Sequence, residues 1–377
     1  MRRRRGKKDI SQKLNNILFF LSGMLAVVVI GITVIGVQTK ANSSKIARMG
    51  SMSSSVSFEP VENTDQEQMF EEDNSWAQST VTSAEDNLKP VEKWQEGIIE
   101  HNGRNYIYNS DLKTILLMGV DNDGPAESVE QMDQGGQSDA MFLLIADEEK
   151  QQLSVFSIHR NSMTDIEMYD SNGKFIATLP AQICLQHAYG DGRKLSCSRS
   201  VAAVSKMFHN LPIYGYVALN MGGVPPVNDA VGGVEVEVLQ DLHYPEKGVD
   251  LREGEVVRLN GQEAYCYLRG RDVNEYDSAT LRLRREEQYI INFMKQLQGN
   301  VGGNSGKAED VYLAIEDYLV TNLNFVDVVE NLIGYDFSEE RMYTVPGETS
   351  QEGVYEEYHI DEEAFYDLMI QVFYKKV

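Results

Sequence analysis

The chain has 377 residues, 42% of them hydrophobic, which is enough apolar material for a substantial core and excludes a wholly disordered protein. It carries 58 acidic against 34 basic residues, and its net charge of -24 excludes a general nucleic-acid-binding surface, because affinity for nucleic acid depends mainly on neutralising phosphates. The charge is unevenly distributed, since residues 1–13 hold the cluster "MRRRRGKKDISQK" and the rest of the chain carries about -30. Any anionic ligand must therefore be bound by a local group of basic residues.

A membrane segment is predicted near the N-terminus. The segment "ILFFLSGMLAVVVIGITVIGV" at 17–37 contains no charge and has the length needed to cross a bilayer as a helix. A cleaved signal peptide is the alternative, but its apolar core would normally be shorter, with a cleavage site soon after it. Because basic residues precede the span, we expect residues 1–16 to form a cytoplasmic tail and everything after the helix to be extracellular.

The remainder of the chain divides by composition into a stalk and a body. Residues 38–92 are rich in Ser, Glu, Asp, Asn and Gln and show no sustained apolar period, which indicates a flexible, acidic stalk. Residues 93–377 are predicted to form one extracellular domain, with a core at 113–298 and a helical C-terminal part at 307–377. The protein is thus expected to be a single-pass protein of the cell membrane.

The predicted elements of the body follow in chain order. Asn102 and Gly103 between two short alternating runs predict a hairpin. The runs "KTILLMGVD", "AMFLLIAD" and "QLSVFSIHR" predict buried strands, and "VGGVEVEVL" and "EAYCYLRGR" predict two more. Helices are predicted at "SRSVAAVSKMFHNL", at 279–297, and in the tail at "AEDVYLAIEDYLVTNL" and "DEEAFYDLMIQVFY". Together these elements predict an α/β fold with a mixed central β-sheet flanked by helices.

Two acidic residues lie at the ends of predicted strands. Asp121 ends "TILLMGVD", and Asp139 directly precedes "AMFLLIAD". Ligands of open α/β sheets gather beyond strand ends, and two carboxylates there would suit Mg²⁺. From the spacing alone, two aspartates that cap turns are the more frequent explanation.

Five arginines occur in the short segment from Arg269 to Arg285. On a predicted strand, Arg269 and Arg271 would share a face, and on a predicted helix Arg282 and Arg285 would be neighbours. Guanidinium groups from the two elements could converge on one phosphate group. A solvated surface neutralised by nearby acids is the alternative, and the pattern does not decide between them. Arg160, which ends another predicted strand, would by itself suggest only a surface ion pair.

The three cysteines follow no metal-ligand spacing, and neither do the histidines. Cys184 and Cys197 could close a short loop through a disulfide, which would leave Cys266 as a buried thiol. Counting cysteines does not decide whether this bond forms.

Six motifs at 113–297 together resemble the LytR-CpsA-Psr (LCP) family of cell-wall glycopolymer transferases. In order, they read "ILLMGVD", "GQSDAMFLLIAD", "SVFSIHRNS", "VNDAVGGVEVEV", "LNGQEAYCYLRGRD" and "LRLRREEQYI". The order of a short basic end, one membrane helix and an extracellular body is also similar to that family.

The resemblance implies an αβα fold whose groove sheathes a polyprenyl lipid, in an envelope of the Gram-positive type. The implied reaction moves a phosphorylated glycopolymer from a polyprenyl-pyrophosphate carrier to a peptidoglycan hydroxyl. By resemblance, Asp121 and Asp139 bind Mg²⁺ and act in catalysis with Arg160. The arginines implied to bind the pyrophosphate are Arg160, Arg269, Arg271, Arg282 and Arg285.

The chain departs from the family's usual residues in three places. Gln137 stands where an arginine is common, and Glu286 stands where a glutamine is usual. His159 and Asn161 occur in "SIHRN", where the family usually reads Ser-Ile-Pro-Arg-Asp. These changes leave open a second hypothesis, in which the protein is a catalytically weak or inactive relative that binds polyprenyl-linked glycans or regulates envelope assembly.

Overall fold

The structure, a computed structural model, describes residues 98–271, 276–301, 306–351 and 355–377. The predicted cytoplasmic tail, membrane helix and stalk lie outside the described residues. Within the described ranges, no helix is both long enough and apolar enough to cross a membrane.

The described elements are strands and helices. The strands are β1 (Ile98–His101), β2 (Arg104–Tyr108), β3 (Leu112–Val120), β4 (Ser138–Asp147), β5 (Gln152–Ile158), β6 (Met163–Tyr169), β7 (Phe175–Gln182), β8 (Gly215–Asn220), β9 (Val234–Glu237), β10 (Leu242–Tyr244), β11 (Val249–Leu251), β12 (Val256–Leu259), β13 (Leu319–Thr321), β14 (Asp336–Thr344), β15 (Gly347–Ser350), β16 (Glu357–Ile360) and β17 (Tyr374–Lys376). The helices are α1 (Lys194–Met207), α2 (Val224–Ala230), α3 (Gly261–Arg269), α4 (Ser278–Val301), α5 (Gly306–Ile315), α6 (Phe325–Leu332) and α7 (Glu362–Phe373).

The predicted mixed sheet is confirmed at the centre of the fold. Its strand order is β13-β8-β3-β4-β5-β14, in which β3, β4 and β5 are the three predicted apolar strands. Strand β4 runs antiparallel to its neighbours β3 and β5, whereas β8 runs parallel to β3 and β14 runs parallel to β5. The sheet is therefore both parallel and antiparallel.

Alternate residues of the central strands pack on opposite faces of the sheet, as the two-residue period of a strand requires. Leu116 of β3 belongs to a buried cluster with Phe208, just after α1, and Phe373 of α7. Ile115 belongs to a second cluster, with Leu283 of α4. Helices thus cover both faces of the sheet, and the resulting αβα layers form one core on each side.

The other sequence predictions are mostly confirmed at the level of single elements. The hairpin β1–β2 turns at Asn102 and Gly103, whose φ angles of 50° and 69° are those that a tight hairpin turn needs. The predicted helix at 279–297 lies within α4, and the segment "VGGVEVEVL" contains β9.

The predicted strand in "EAYCYLRGR" is wrong, because this segment belongs to α3. The side chain of Asn260 accepts a hydrogen bond from the Glu263 N–H at 3.0 Å, and the Glu263 carboxylate accepts one from the Asn260 N–H at 2.9 Å. This reciprocal cap satisfies two backbone donors at the helix start and outweighs the strand propensity of the two tyrosines. Arg269 is the last residue of α3, so it does not share a strand face with Arg271.

The prediction of a purely helical C-terminal part is also incomplete. The helix predicted in "AEDVYLAIEDYLVTNL" ends at Ile315, and Leu319 and Val320 then enter the central sheet as part of β13. Strand β14 adds the opposite edge. Apolar periodicity cannot separate a three-residue strand from the continuation of a helix, so the change from helix to strand could not be predicted from this pattern.

Candidate functional site

An apolar groove of about 290 Å³ lies between the central sheet and helices α4 and α6. Its apolar walls include Leu117, Phe142, Val217, Ile290, Phe293 and Val328. Its charged lining residues are Asp121, Asp139, Arg269, Arg282 and Glu286. We call these five residues, together with Arg160, the charged cluster. A groove with this lining suits an extended apolar ligand that carries a charged group.

Asp139, in β4, joins two arginines of the charged cluster. Its Oδ1 lies 2.8 Å from Nη2 of Arg160, which follows β5. Its Oδ2 lies 3.1 Å from Nη1 of Arg282, which is on α4, and Nη2 of the same arginine donates to the Asp139 carbonyl oxygen at 3.1 Å. The fold therefore brings Asp139, Arg160 and Arg282 together from separate parts of the chain.

Arg160 is further fixed by two uncharged groups. Its Nη2 donates to Oε1 of Gln137 at 2.5 Å and to the sulfur of Cys184 at 3.3 Å. Burial opposes the charged form, but the neighbouring Cys184 and Asp139 outweigh it and raise the pKa of Arg160. The backbone carbonyl of Gln137 also accepts the Asp121 N–H at 2.9 Å, so Gln137 positions two members of the cluster.

Arg269, at the end of α3, bridges two aspartates that follow β3. Its Nη2 lies 2.9 Å from Oδ1 of Asp121, and its Nη1 lies 2.7 Å from Oδ1 of Asp123. Tyr265, one turn earlier on α3, donates to the same oxygen of Asp123 at 2.7 Å and accepts a hydrogen bond from Arg269. Sequence reasoning missed Asp123 and Tyr265. The spacing of four between Tyr265 and Arg269 would have indicated this contact if the segment had been assigned to a helix.

Glu286 introduces a buried carboxylate into the charged cluster. It lies one turn after Arg282 on α4, and its Oε1 is 3.2 Å from Nε of that arginine. Burial raises the pKa of Glu286 to about 7, against the effect of Arg282, and the negative charge of Asp139 raises it further. Because this value is close to neutral pH, the net charge of the cluster changes in the physiological range.

Arg271 and Arg285 line a different pocket. This second pocket, of about 300 Å³, is lined by Gln240, Asp241, Leu242, His243, Tyr244, Arg271 and Arg285. Arg285 is 1% exposed and donates to the carbonyl oxygen of Gly270 and to Oε1 of Gln240, the latter at 3.2 Å. These two arginines line the second pocket, and Arg271 still lies close enough to the charged cluster for Arg160 and Arg282 to help lower its pKa, after the larger effect of burial.

His159 and Asn161 connect the end of β5 to the start of α4. The buried ring of His159 stacks on Tyr358 with 4.4 Å between centroids, and its Nδ1 accepts the Asn161 N–H at 3.2 Å. Its Nε2 is 3.3 Å from Oγ1 of Thr280, which donates to Asp277 at 2.6 Å. Burial lowers the pKa of His159 to about 4, so the ring is neutral at pH 7. These contacts assign the ring proton to Nε2 and make His159 a positioning residue for α4.

The cysteines are free thiols, and all three are buried. The disulfide that the sequence allowed between Cys184 and Cys197 is absent. Cys184 contacts Arg160, whereas the sulfur of Cys197 lies 3.8 Å from Nε2 of His187. Each thiol therefore has its own polar neighbour in a separate environment.

The carboxylates fit a magnesium ion only if a ligand completes its coordination. Among the described residues, no group of three or more His, Cys, Asp or Glu side chains is arranged to hold a metal. Asp121 and Asp139, however, both border the apolar groove. Mg²⁺ is commonly held by one or two carboxylates together with waters and substrate phosphates. The donor set therefore suits Mg²⁺ bound jointly with a phosphorylated ligand.

Comparison with known proteins identifies the family. The LytR_cpsA_psr family matches residues 69–370. The polyisoprenyl-teichoic acid–peptidoglycan teichoic acid transferase TagU of Bacillus cereus is 29% identical over 278 residues, which cover 70% of this chain and 78% of TagU.

Solved structures share the fold. Protein gbs0355 of Streptococcus agalactiae aligns with a TM-score of 0.56 at 18% identity, over 70% of this chain and 86% of that protein. TagT bound to LI-WTA aligns with a TM-score of 0.51 at 20% identity, over 70% of this chain and 89% of TagT. Since the family match spans most of the sequence, the chain belongs to the LytR_cpsA_psr family.

Proposed function

We propose that the protein is a membrane-anchored, extracellular transferase that moves a phosphorylated glycopolymer from a polyprenyl-pyrophosphate carrier to a hydroxyl group of peptidoglycan. The observation that carries this proposal is the charged cluster beside an apolar groove. Two related proteins support this proposal. TagU is a polyisoprenyl-teichoic acid–peptidoglycan teichoic acid transferase, and TagT binds LI-WTA.

The lipid carrier would occupy the apolar groove. Its lining is apolar along the face of the sheet and along α4, where Ile290 and Phe293 contribute. A polyprenyl chain bound there removes apolar surface from water, and each buried CH₂ group contributes about 0.8 kcal/mol. The pyrophosphate at the end of such a chain would then meet the charged cluster.

The arginines of the cluster would bind the pyrophosphate. Arg269 is 39% exposed and available to a ligand, whereas Arg160 and Arg282 are held in place by Asp139. Guanidinium groups fixed in this way stabilise the charge that develops on a transferring phosphoryl group without reorganising. Asp121 and Asp139 would hold Mg²⁺, which supplies further positive charge to the phosphate oxygens.

The proposed reaction balances as a single displacement at phosphorus. The acceptor hydroxyl oxygen forms a bond to the phosphorus that carries the glycopolymer, and the bond from that phosphorus to the bridging oxygen breaks. Polyprenyl phosphate leaves, and the proton of the acceptor hydroxyl ends on the released phosphate or in solvent. The protein contributes orientation and neutralisation of charge, which are the main requirements of phosphoryl transfer.

The test is turnover by the purified full-length protein with a polyprenyl-pyrophosphate-linked glycan and Mg²⁺. The wild type should release polyprenyl phosphate, and Arg269→Ala should abolish the release because it removes a guanidinium group that would bind the pyrophosphate. Arg258→Ala is the matched control, since Arg258 pairs with the exposed Glu235 at 3.2 Å and does not line the groove. Binding of the lipid by the wild type without any turnover would refute the transferase proposal.

That outcome would support the second hypothesis, a relative that binds polyprenyl-linked glycans without transferring them. The observation that favours it is that both carboxylate oxygens of Asp139 contact arginines and that Glu286 adds a further negative charge. In this form the cluster is less positive than its three arginines alone would suggest.

The membrane topology is part of the same proposal. Residues 17–37 would form the anchor, with residues 1–16 in the cytoplasm and the described domain outside the cell. Protease added to intact cells should degrade a tag at the C-terminus and spare one at the N-terminus. Protection of the C-terminal tag would contradict this topology.

A further inference from the structure

Arg269 makes different contacts through its two terminal nitrogens. Nη2 lies 2.9 Å from Oδ1 of Asp121, whereas Nη1 lies 2.7 Å from Oδ1 of Asp123. The described residues that line the apolar groove include Arg269 and Asp121 but neither Asp123 nor Tyr265. One terminal nitrogen therefore contacts a residue of the groove, and the other contacts a residue outside it.

Tyr265 completes the contact outside the groove. Its hydroxyl group donates to Oδ1 of Asp123 at 2.7 Å and accepts a hydrogen bond from Arg269, which lies one helical turn later on α3. Burial raises the pKa of Tyr265, and the hydrogen bond to Asp123 raises it further, so the phenol keeps its proton at neutral pH. Nζ of Lys247 lies 4.6 Å from the centroid of the same ring, and this contact also restricts the ring.

The loop that carries Asp123 is tied to its surroundings through the backbone. Oδ1 of Asn122 accepts the Gly124 N–H at 2.8 Å, and the carbonyl oxygen of Gly124 accepts a hydrogen bond from Nδ2 of Asn220 at 2.9 Å. A Cβ at Gly222 would overlap the carbonyl oxygen of Asp123, so only glycine permits this close approach. Asp123 is thus held at a defined position beside α3.

We propose that Tyr265 and Asp123 are positioning residues that hold Nη1 of Arg269. Nη2 can then pass from Asp121 to the pyrophosphate while the guanidinium group keeps its position. The inference rests on the proposed function, in which Arg269 binds the pyrophosphate.

Orientation explains these contacts better than folding does. The side chains of Asp123 and Arg269 are 61% and 39% exposed, and ion pairs with this much exposure contribute little to stability. A guanidinium group that is already held at one nitrogen loses less freedom when an anion binds at the other, and this raises the affinity for the anion.

The test measures the affinity of the full-length protein in maltoside micelles for geranyl pyrophosphate, by isothermal titration calorimetry in a buffer that contains Mg²⁺. Tyr265→Phe should weaken binding about three- to tenfold, because it removes the hydroxyl group that fixes Arg269. Tyr214→Phe is the matched control, since Nζ of Lys113 lies 5.1 Å from the centroid of its ring and Tyr214 does not line the groove. Equal affinities of Tyr265→Phe and the wild type would overturn the inference, and so would a wild type that does not bind the probe.

A second arm shows whether Tyr265 acts through Arg269. On an Arg269→Ala background, Tyr265→Phe should have no further effect on the affinity, and on an Asp123→Ala background its effect should become smaller. The lost charge of Asp123 cancels in this comparison, because both proteins that are compared lack it. A merely structural role would give the same weakening on all three backgrounds and a lower melting temperature for Tyr265→Phe, and this result would overturn the inference.

The measurement also separates the positioning role from the transferase proposal. A wild type that binds geranyl pyrophosphate but never transfers a glycan would refute the transferase. The affinities of the variants would then decide the positioning role by themselves.

Discussion

Replacing Glu286 with glutamine should make the protein more stable at neutral and alkaline pH. The carboxyl group of Glu286 is 5% exposed, and its pKa rises from 4.5 to about 7 because burial disfavours the charged form. Between these two values the folded protein keeps a proton that the unfolded chain has released. Stability of the wild type must therefore fall as the pH rises through this window.

The magnitude follows from the difference between the two pKa values. Each pKa unit corresponds to 1.36 kcal/mol, so ionisation of Glu286 costs the folded protein about 3 kcal/mol by pH 8. Glutamine keeps an oxygen that can accept from Arg282 but carries no charge. The free energy of unfolding of Glu286→Gln, relative to wild type, should consequently rise by about 3 kcal/mol between pH 4 and pH 8.

The assay is urea unfolding of both proteins at a series of pH values, followed by circular dichroism at 222 nm. The measurement near pH 4 is an internal control, because Glu286 is then protonated in the folded wild type and in most of its unfolded chains. A difference between the two proteins that stays constant from pH 4 to pH 8 would refute the argument from burial. The same substitution should also flatten the pH dependence of pyrophosphate binding between pH 6 and pH 8, because the wild-type cluster gains a negative charge there.

Three further results are expected. Asp139→Asn should destabilise the fold by about 3–5 kcal/mol, measured by urea unfolding, because it leaves Arg160 and Arg282 buried without their shared counterion. A thiol reagent should modify none of the three cysteines in the folded protein and all three after unfolding without a reductant, and a lower count would reveal a disulfide. Gly270→Ala should destabilise by about 1–3 kcal/mol, since a Cβ there would lie 2.7 Å from the backbone carbonyl oxygen of Cys266, and an unchanged melting temperature would contradict this contact.

The central sheet could be predicted because its strands carry their signal locally. The runs that became β3, β4 and β5 are apolar over most of their length and are buried on both faces, as a strand between two helical layers must be. Helix α4 was equally clear, since Leu283, Ile290 and Met294 recur at helical spacing. Such patterns depend only on neighbours in the sequence.

Contacts at the candidate site were harder to predict from local sequence patterns. The two tyrosines of "EAYCYLRGR" favour a strand, whereas the cap formed by Asn260 and Glu263 favours the helix that is observed. The contacts of Asp139 with Arg160 and Arg282 join residues 21 to 143 positions apart, and no periodicity of the sequence reports them. Only the resemblance to a family indicated that these residues meet.

The division of the arginines between two pockets follows from the end of α3. Because the helix stops at Arg269, the chain turns at Gly270, and the side chains before and after that turn reach different pockets. The carbonyl oxygen of Gly270 then accepts a hydrogen bond from Arg285, which holds that guanidinium on the side of Arg271. On a strand, residues two positions apart would share a face, whereas here Arg269 and Arg271 line two different pockets.

The buried charges of the cluster are better explained by ligand binding than by folding. The side chains of Arg282 and Glu286 are each 7% exposed, and those of Asp139 and Arg160 are 18% and 14% exposed. Removing such groups from water costs several kcal/mol per ion, and well-packed apolar residues of similar size would often stabilise a protein as much or more. What the charges provide is a set of donors and acceptors that are already oriented and largely shielded from water, which strengthens their interaction with any group of opposite charge.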